Sequence, residues 1–122
     1  MKSLSFGTAL LAALLALPAL GADPPVKKAD GMLVDSSGMT VYTFDKDTAN
    51  SGKSACSGSC AQNWPPLIVP DEPKAPYSTI KREDGSKQLA YKGKPLYTFK
   101  KDKKPGDKTG DKAMNAWHVV TD

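Results

Sequence analysis

The chain has 122 residues, 39% hydrophobic and 25% charged, with a formal net charge of +4 at pH 7. That balance is too mild to point to nucleic acid, and the lysines are scattered without interleaved aromatics at stacking distance. Beyond an apolar N-terminal stretch about 100 residues remain, enough for one domain with a modest core.

Lys2 opens the chain, and Leu4 to Leu17 contains only Leu, Ala, Phe, Gly, Ser and Thr before Pro18 and the small-residue stretch Ala19-Leu20-Gly21. This reads as an export signal over residues 1–21, cleaved after Gly21, with cleavage after Ala22 as second choice. Its removal takes Lys2 away and lowers the net charge by one. The competing reading is an uncleaved anchor over Ser3 to Ala22, which is long enough to span; Pro18 and the small residues disfavour it. No cysteine stands at the cleavage point. The expected product is a soluble periplasmic or secreted protein, residues 22–122, with no stable membrane span.

Gly31 to Val34, the turn Asp35-Ser-Ser-Gly38 and Met39 to Phe44 read as strand, turn, strand. Tyr42 and Phe44 lie two apart and share one side of a strand. A Ser-, Gly- and Asn-rich loop, Asp47 to Cys60, comes next. Ser59 to Trp64 is the one candidate for a short helix, with Ser59 as cap and Pro65 as stop. Pro65 to Pro76 holds five prolines and reads as a crossing segment. Tyr77 to Arg82, Lys87 to Tyr91 and Pro95 to Phe99 read as strands joined by polar turns. A Lys- and Gly-rich loop, Asp102 to Asn115, leads to Trp117-His-Val, a terminal strand.

At an offset of 55 residues Gly38, Tyr42, Thr43, Phe44, Lys46 and Asp47 fall on Gly93, Tyr97, Thr98, Phe99, Lys101 and Asp102, and at an offset of 53 Trp64 falls on Trp117. The fold expected is therefore mainly β: a compact single domain of two similar hairpin-containing halves, about residues 31–69 and 80–120, with at most one short helical turn. Such a repeat means that one unit cannot bury its apolar face alone.

These landmarks resemble a family of secreted or lipoprotein repeats of unknown function marked by Tyr-x-(Phe/Trp/Tyr)-x-x-Asp, present twice here as Tyr42-Thr-Phe44-Asp-Lys-Asp47 and Tyr97-Thr-Phe99-Lys-Lys-Asp102. Cys56 to Leu67 and Pro105 to Asp111, with Trp117-His-Val119, match its other segments. The resemblance implies an extracytoplasmic bacterial protein and no particular activity. This chain differs from lipid-anchored members in lacking the acylated cysteine.

Cys56 and Cys60, the only cysteines, read as a structural disulfide in an oxidising compartment. The competing chemistry is a soft-metal site for Cu(I), with His118 or the thioethers of Met32, Met39 and Met114 as further ligands. Asp102, Asp107 and Asp111, with Thr109, form a candidate Ca²⁺ loop, although the spacing is not that of an EF-hand and lysines lie among them. Tyr42, Phe44, Trp64, Tyr97, Phe99 and Trp117 read first as core, with one or two rings as recognition surface. Asp47 and Asp102 read as acceptors for loop amides. His118 reads as a solvent-facing, non-catalytic side chain. No catalytic set stands out and no cofactor is expected. The function expected is a non-enzymatic binding or structural module touching an envelope protein or small ligand; the alternative is extracytoplasmic metal handling.

Overall fold

The computed structural model describes residues 21–121; the expected export signal over residues 1–21 lies, Gly21 apart, outside them. In chain order the elements are Val26–Ala29 (β1), Met32–Asp35 (β2), Tyr42–Phe44 (β3), the helix Ser59–Asn63 (α1), Tyr77–Lys81 (β4), Lys87–Tyr91 (β5), Lys94–Pro95 (β6), a 3₁₀ turn Ala113–Asn115 and Trp117–Val119 (β7). The β1–β2 hairpin turns on Asp30-Gly31, both at positive φ, 51° and 79°, the backbone that a two-residue Asp-Gly turn supplies at least cost. Strand β1 precedes Gly31, where the sequence pattern starts the first half; its Val-Lys-Lys-Ala pattern leaves both lysines exposed and carries little apolar signal. β4, β5 and β6 form an antiparallel meander.

Strand β3 finds its partner far along the chain. It pairs antiparallel with β7, Tyr42 opposite Val119 and Phe44 opposite Trp117. The same exchange occurs in reverse on the other motif: Tyr97 bridges Pro66, and the Thr98 and Lys100 amides donate to the Pro65 and Asn63 carbonyls at 2.9 Å. Each half thus lends its motif strand to the tryptophan segment of the other. At the centre the two tyrosines bridge each other, Tyr42 N–H donating to Tyr97 O at 2.7 Å and Tyr97 N–H to Tyr42 O at 3.0 Å.

The proline-rich crossing is drawn into this arrangement despite its missing donors. Leu67 and Val69, between the prolines, supply the amides that reach Leu96 O and Lys87 O, so proline falls where no donor is needed. Two packed clusters result. Leu33, Val41, Val69, Leu89, Leu96 and Val120 form an aliphatic core, and Tyr42, Phe44, Cys56, Trp64, Tyr97 and Trp117 form an aromatic one. Ser59 does not cap α1: the chain enters through Gly58 at φ 61°, with no side-chain cap hydrogen bond, and Ser59 is already the first helical residue.

Candidate functional site

The two Tyr-x-Phe-x-x-Asp motifs are wired to each other. Tyr42 Oη donates to Asp102 Oδ2 at 2.6 Å, and Tyr97 Oη donates to Asp47 Oδ2 at 2.7 Å. Both rings are fully buried, and the carboxylates are only 5% and 6% exposed. The second oxygen of each carboxylate braces its own loop: Asp47 Oδ1 accepts from the Ala55 amide at 2.6 Å, and Asp102 Oδ1 accepts from the Thr109 amide at 2.9 Å and hydroxyl at 2.6 Å. Each motif aspartate therefore joins its loop to the opposite half, and neither buried carboxylate is left without donors.

The phenols differ in their remaining partners. Gly110 N–H donates to Tyr42 Oη at 3.1 Å. Tyr97 Oη instead lies 2.6 Å from Ser54 Oγ. Because the single Tyr97 proton goes to Asp47, the Ser54 hydroxyl serves as the donor in that contact. Burial pushes both phenols well above the ordinary tyrosine range, and the facing carboxylates add to that push.

The aromatic rings of the two halves alternate. Phe44 stacks on Trp117 at 4.1 Å, Trp117 on Trp64 at 3.8 Å and 2° between planes, and Trp64 on Phe99 at 4.0 Å. Tyr42 meets Trp64 edge-on at 5.4 Å, and Tyr97 meets Trp117 edge-on at 5.2 Å. All six rings that the sequence singles out are gathered here, and they are core; only Phe99 among them is more than slightly exposed. Gly110 lies against this stack so closely that a Cβ there would come within 2.7 Å of Trp64 Cη2. The indole Nε1 of Trp117 is buried with no acceptor among the described residues.

The metal readings do not assemble. Cys56 and Cys60 are joined as a disulfide, so neither sulfur is a thiolate ligand, and His118 is occupied elsewhere, its Nε2 lying 2.8 Å from Asp45 Oδ2 on a half-exposed surface. Asp102, Asp107 and Asp111 point to separate tasks. Asp107 takes the Lys103 and Lys104 amides, which hold its carboxyl below the usual range, and Asp111 takes the Val119 amide at 3.1 Å. Among the described residues no three His, Cys, Asp or Glu side chains are grouped to hold a metal ion.

Outside the core, a cleft of about 590 Å³ opens between the disulfide loop and the β4–β5 turn. Lys53, Ser54 and Ser57 line one wall, and Lys81, Arg82, Glu83 and Asp84 the other. Arg82 is held in place: one guanidinium nitrogen donates to the Cys56 carbonyl at 2.9 Å and another to Gln88 Oε1 at 2.7 Å. Gln88 is itself fully buried and donates to Leu96 O at 2.8 Å. None of these cleft residues belongs to the repeated pattern, which is why the sequence does not announce them.

The family described as a secreted repeat of unknown function matches residues 25–68 and again residues 78–121. No curated protein and no solved structure matches the chain.

Proposed function

The chain belongs to this family of secreted repeats of unknown function, and on that premise we propose that it is a non-enzymatic extracytoplasmic binding module whose ligand face is the cleft beside the disulfide loop. One observation carries this reading: the halves agree in their core, while the open cleft, lined by charges of both signs, is built by one half's disulfide loop and the β4–β5 turn. Arg82 and the disulfide fix both walls in advance, so a ligand meets a cleft that needs little ordering. Lys53 and Lys81 suit an acidic group on a small ligand, and Glu83 leaves room for a cationic one beside it.

Titration of isotope-labelled protein with a panel of acidic, zwitterionic and neutral small metabolites tests this. Shifts should cluster at Lys53, Ser57, Lys81 and Arg82 for at least one acidic or zwitterionic member and vanish in a Lys53→Ala/Lys81→Ala variant. Shifts scattered over the surface, or none across the panel, would remove the cleft from consideration.

A further inference from the structure

We propose that Tyr97 and Tyr42, each hydrogen-bonded to a buried aspartate of the opposite motif, are proton-coupled one-electron donors that Trp64 and Trp117 connect to an external oxidant. The reading is independent of whatever the cleft binds. A phenol that loses an electron becomes strongly acidic, so it gives up that electron readily only where a base can take its proton in the same step. Asp47 Oδ2 at 2.7 Å from Tyr97 Oη and Asp102 Oδ2 at 2.6 Å from Tyr42 Oη stand where that base is required.

Trp117 has the opposite provision. Trp117 Nε1 has no acceptor among the described residues, so an oxidised Trp117 keeps its proton, remains a radical cation and stays a strong oxidant toward its neighbours. Those neighbours are close: Trp64 at 3.8 Å and Tyr97 at 5.2 Å between ring centroids, with Tyr42 at 5.4 Å from Trp64. These differences set the order of events. A one-electron oxidising radical, of the kind that peroxide breakdown produces, takes one electron from Trp64 or Trp117 and is reduced by one electron. Tyr97 or Tyr42 returns an electron to that indole, and its phenolic proton moves to Oδ2 of the facing aspartate. The products are a restored indole, a neutral tyrosyl radical and a protonated carboxyl group. The positive charge left by the oxidant thus ends by neutralising a buried carboxylate, a change that a low-dielectric interior favours.

The two donors are not equivalent. Ser54, which touches Tyr97 Oη, also lines the surface cleft, whereas Tyr42 Oη is closed off by the Gly110 amide. Tyr97 is accordingly the donor in hydroxyl contact with the cleft.

The test uses the disulfide-intact protein in a Tyr77→Phe/Tyr91→Phe background, which leaves Tyr42 and Tyr97 as the only phenols among the four tyrosines. Azidyl radicals from pulse radiolysis serve as the oxidant, and transient absorption tracks the indole and tyrosyl radicals. The indole signal should convert to the tyrosyl signal in a step whose rate does not depend on protein concentration. An Asp47→Asn/Asp102→Asn variant leaves one acceptor oxygen on each side chain but cannot take the phenol's proton, and it should slow that step at least about a hundredfold, the low end of what a positioned proton acceptor contributes. Conversion at an unchanged rate in that variant, or conversion only between molecules, overturns the proposal. Should the double variant not fold, the parent protein in D₂O decides: a slower step supports the transfer, and an unchanged rate overturns it.

Discussion

The loops Asp47 to Cys60 and Asp102 to Asn115 begin from the same chemistry and end as different objects. Each starts at a motif aspartate that takes a loop amide with one oxygen and the opposite tyrosine with the other, and each leads through a short helical turn to a core tryptophan within two residues of that turn. Between those points they diverge. The first carries the Cys56–Cys60 bond, a full turn of α-helix and the cleft wall. The second has no cysteine and reaches Trp117 through Lys112, Met114 and Asn115, all at positive φ. A loop anchored at both ends by shared core residues is free to change what lies between, so the core records the duplication and the loops record the difference in use.

That comparison breaks most severely at the tryptophans. Trp117→Ala and Trp64→Ala should each cost about 3–5 kcal/mol, measured by urea unfolding, because each indole is stacked on both faces. A mild effect at either one would mean that the stack is not shared evenly between the halves. The crossed tyrosine–aspartate bonds come next. Tyr42→Phe and Tyr97→Phe should each cost about 1.5–3 kcal/mol, the range for a hydrogen bond to a charged group. In double-mutant cycles Tyr42→Phe should couple to Asp102→Asn and add independently to Asp47→Asn. Coupling to Asp47 instead would place the bonds within halves and contradict the exchange.

The disulfide sharpens the comparison from one side only. A Cys56→Ser/Cys60→Ser variant should lose about 2 kcal/mol by the loop-closure estimate, with amide exchange faster around Ser54 to Ser59 and unchanged around Thr109. The smallest effect is alkaline. Both buried phenols titrate higher in the folded protein than in the unfolded chain, where tyrosine loses its proton near pH 10. Above about pH 10 the unfolded state therefore sheds protons that the folded state keeps, so this contribution is complete below that pH and declines as pH rises. Removing either phenol as Phe should flatten the decline by about half, and unequal flattening would rank Tyr42 against Tyr97.

Much of the fold is legible because repetition leaves a mark on sequence. The alternating Tyr-Thr-Phe pattern, the recurring Gly38 and Gly93 and the two tryptophans locate the strands and the core. The pairing is not legible: identical motifs look the same whether they fold within a half or across halves, and it takes tertiary contacts such as the β3–β7 ladder and the Tyr97–Pro66 bridge to distinguish the two. Strand β1 escapes because its inward signal rests on Val26 and Ala29 alone. Asp47 and Asp102 can be read as loop braces from their positions, whereas their second partners, sixty and fifty residues away in the case of Tyr42 and Tyr97, cannot. Ser54, Arg82 and Gly110 owe their roles to tertiary neighbours, and nothing local announces them. Gly110 sits where a ring leaves no room for a methyl group, a constraint invisible beside Thr109 and Asp111.

The exchange of strands also bears on how such a chain leaves the cell interior. A polypeptide threaded outward from its N-terminus delivers Tyr42 and Trp64 long before Trp117, yet β3 has its ladder partner only in β7 and Trp64 has its central stacking partner only in Trp117. The half that emerges first therefore waits for the second to supply the strand and the indole that complete its core. The shared aromatic core thus needs both halves on the same side of the membrane.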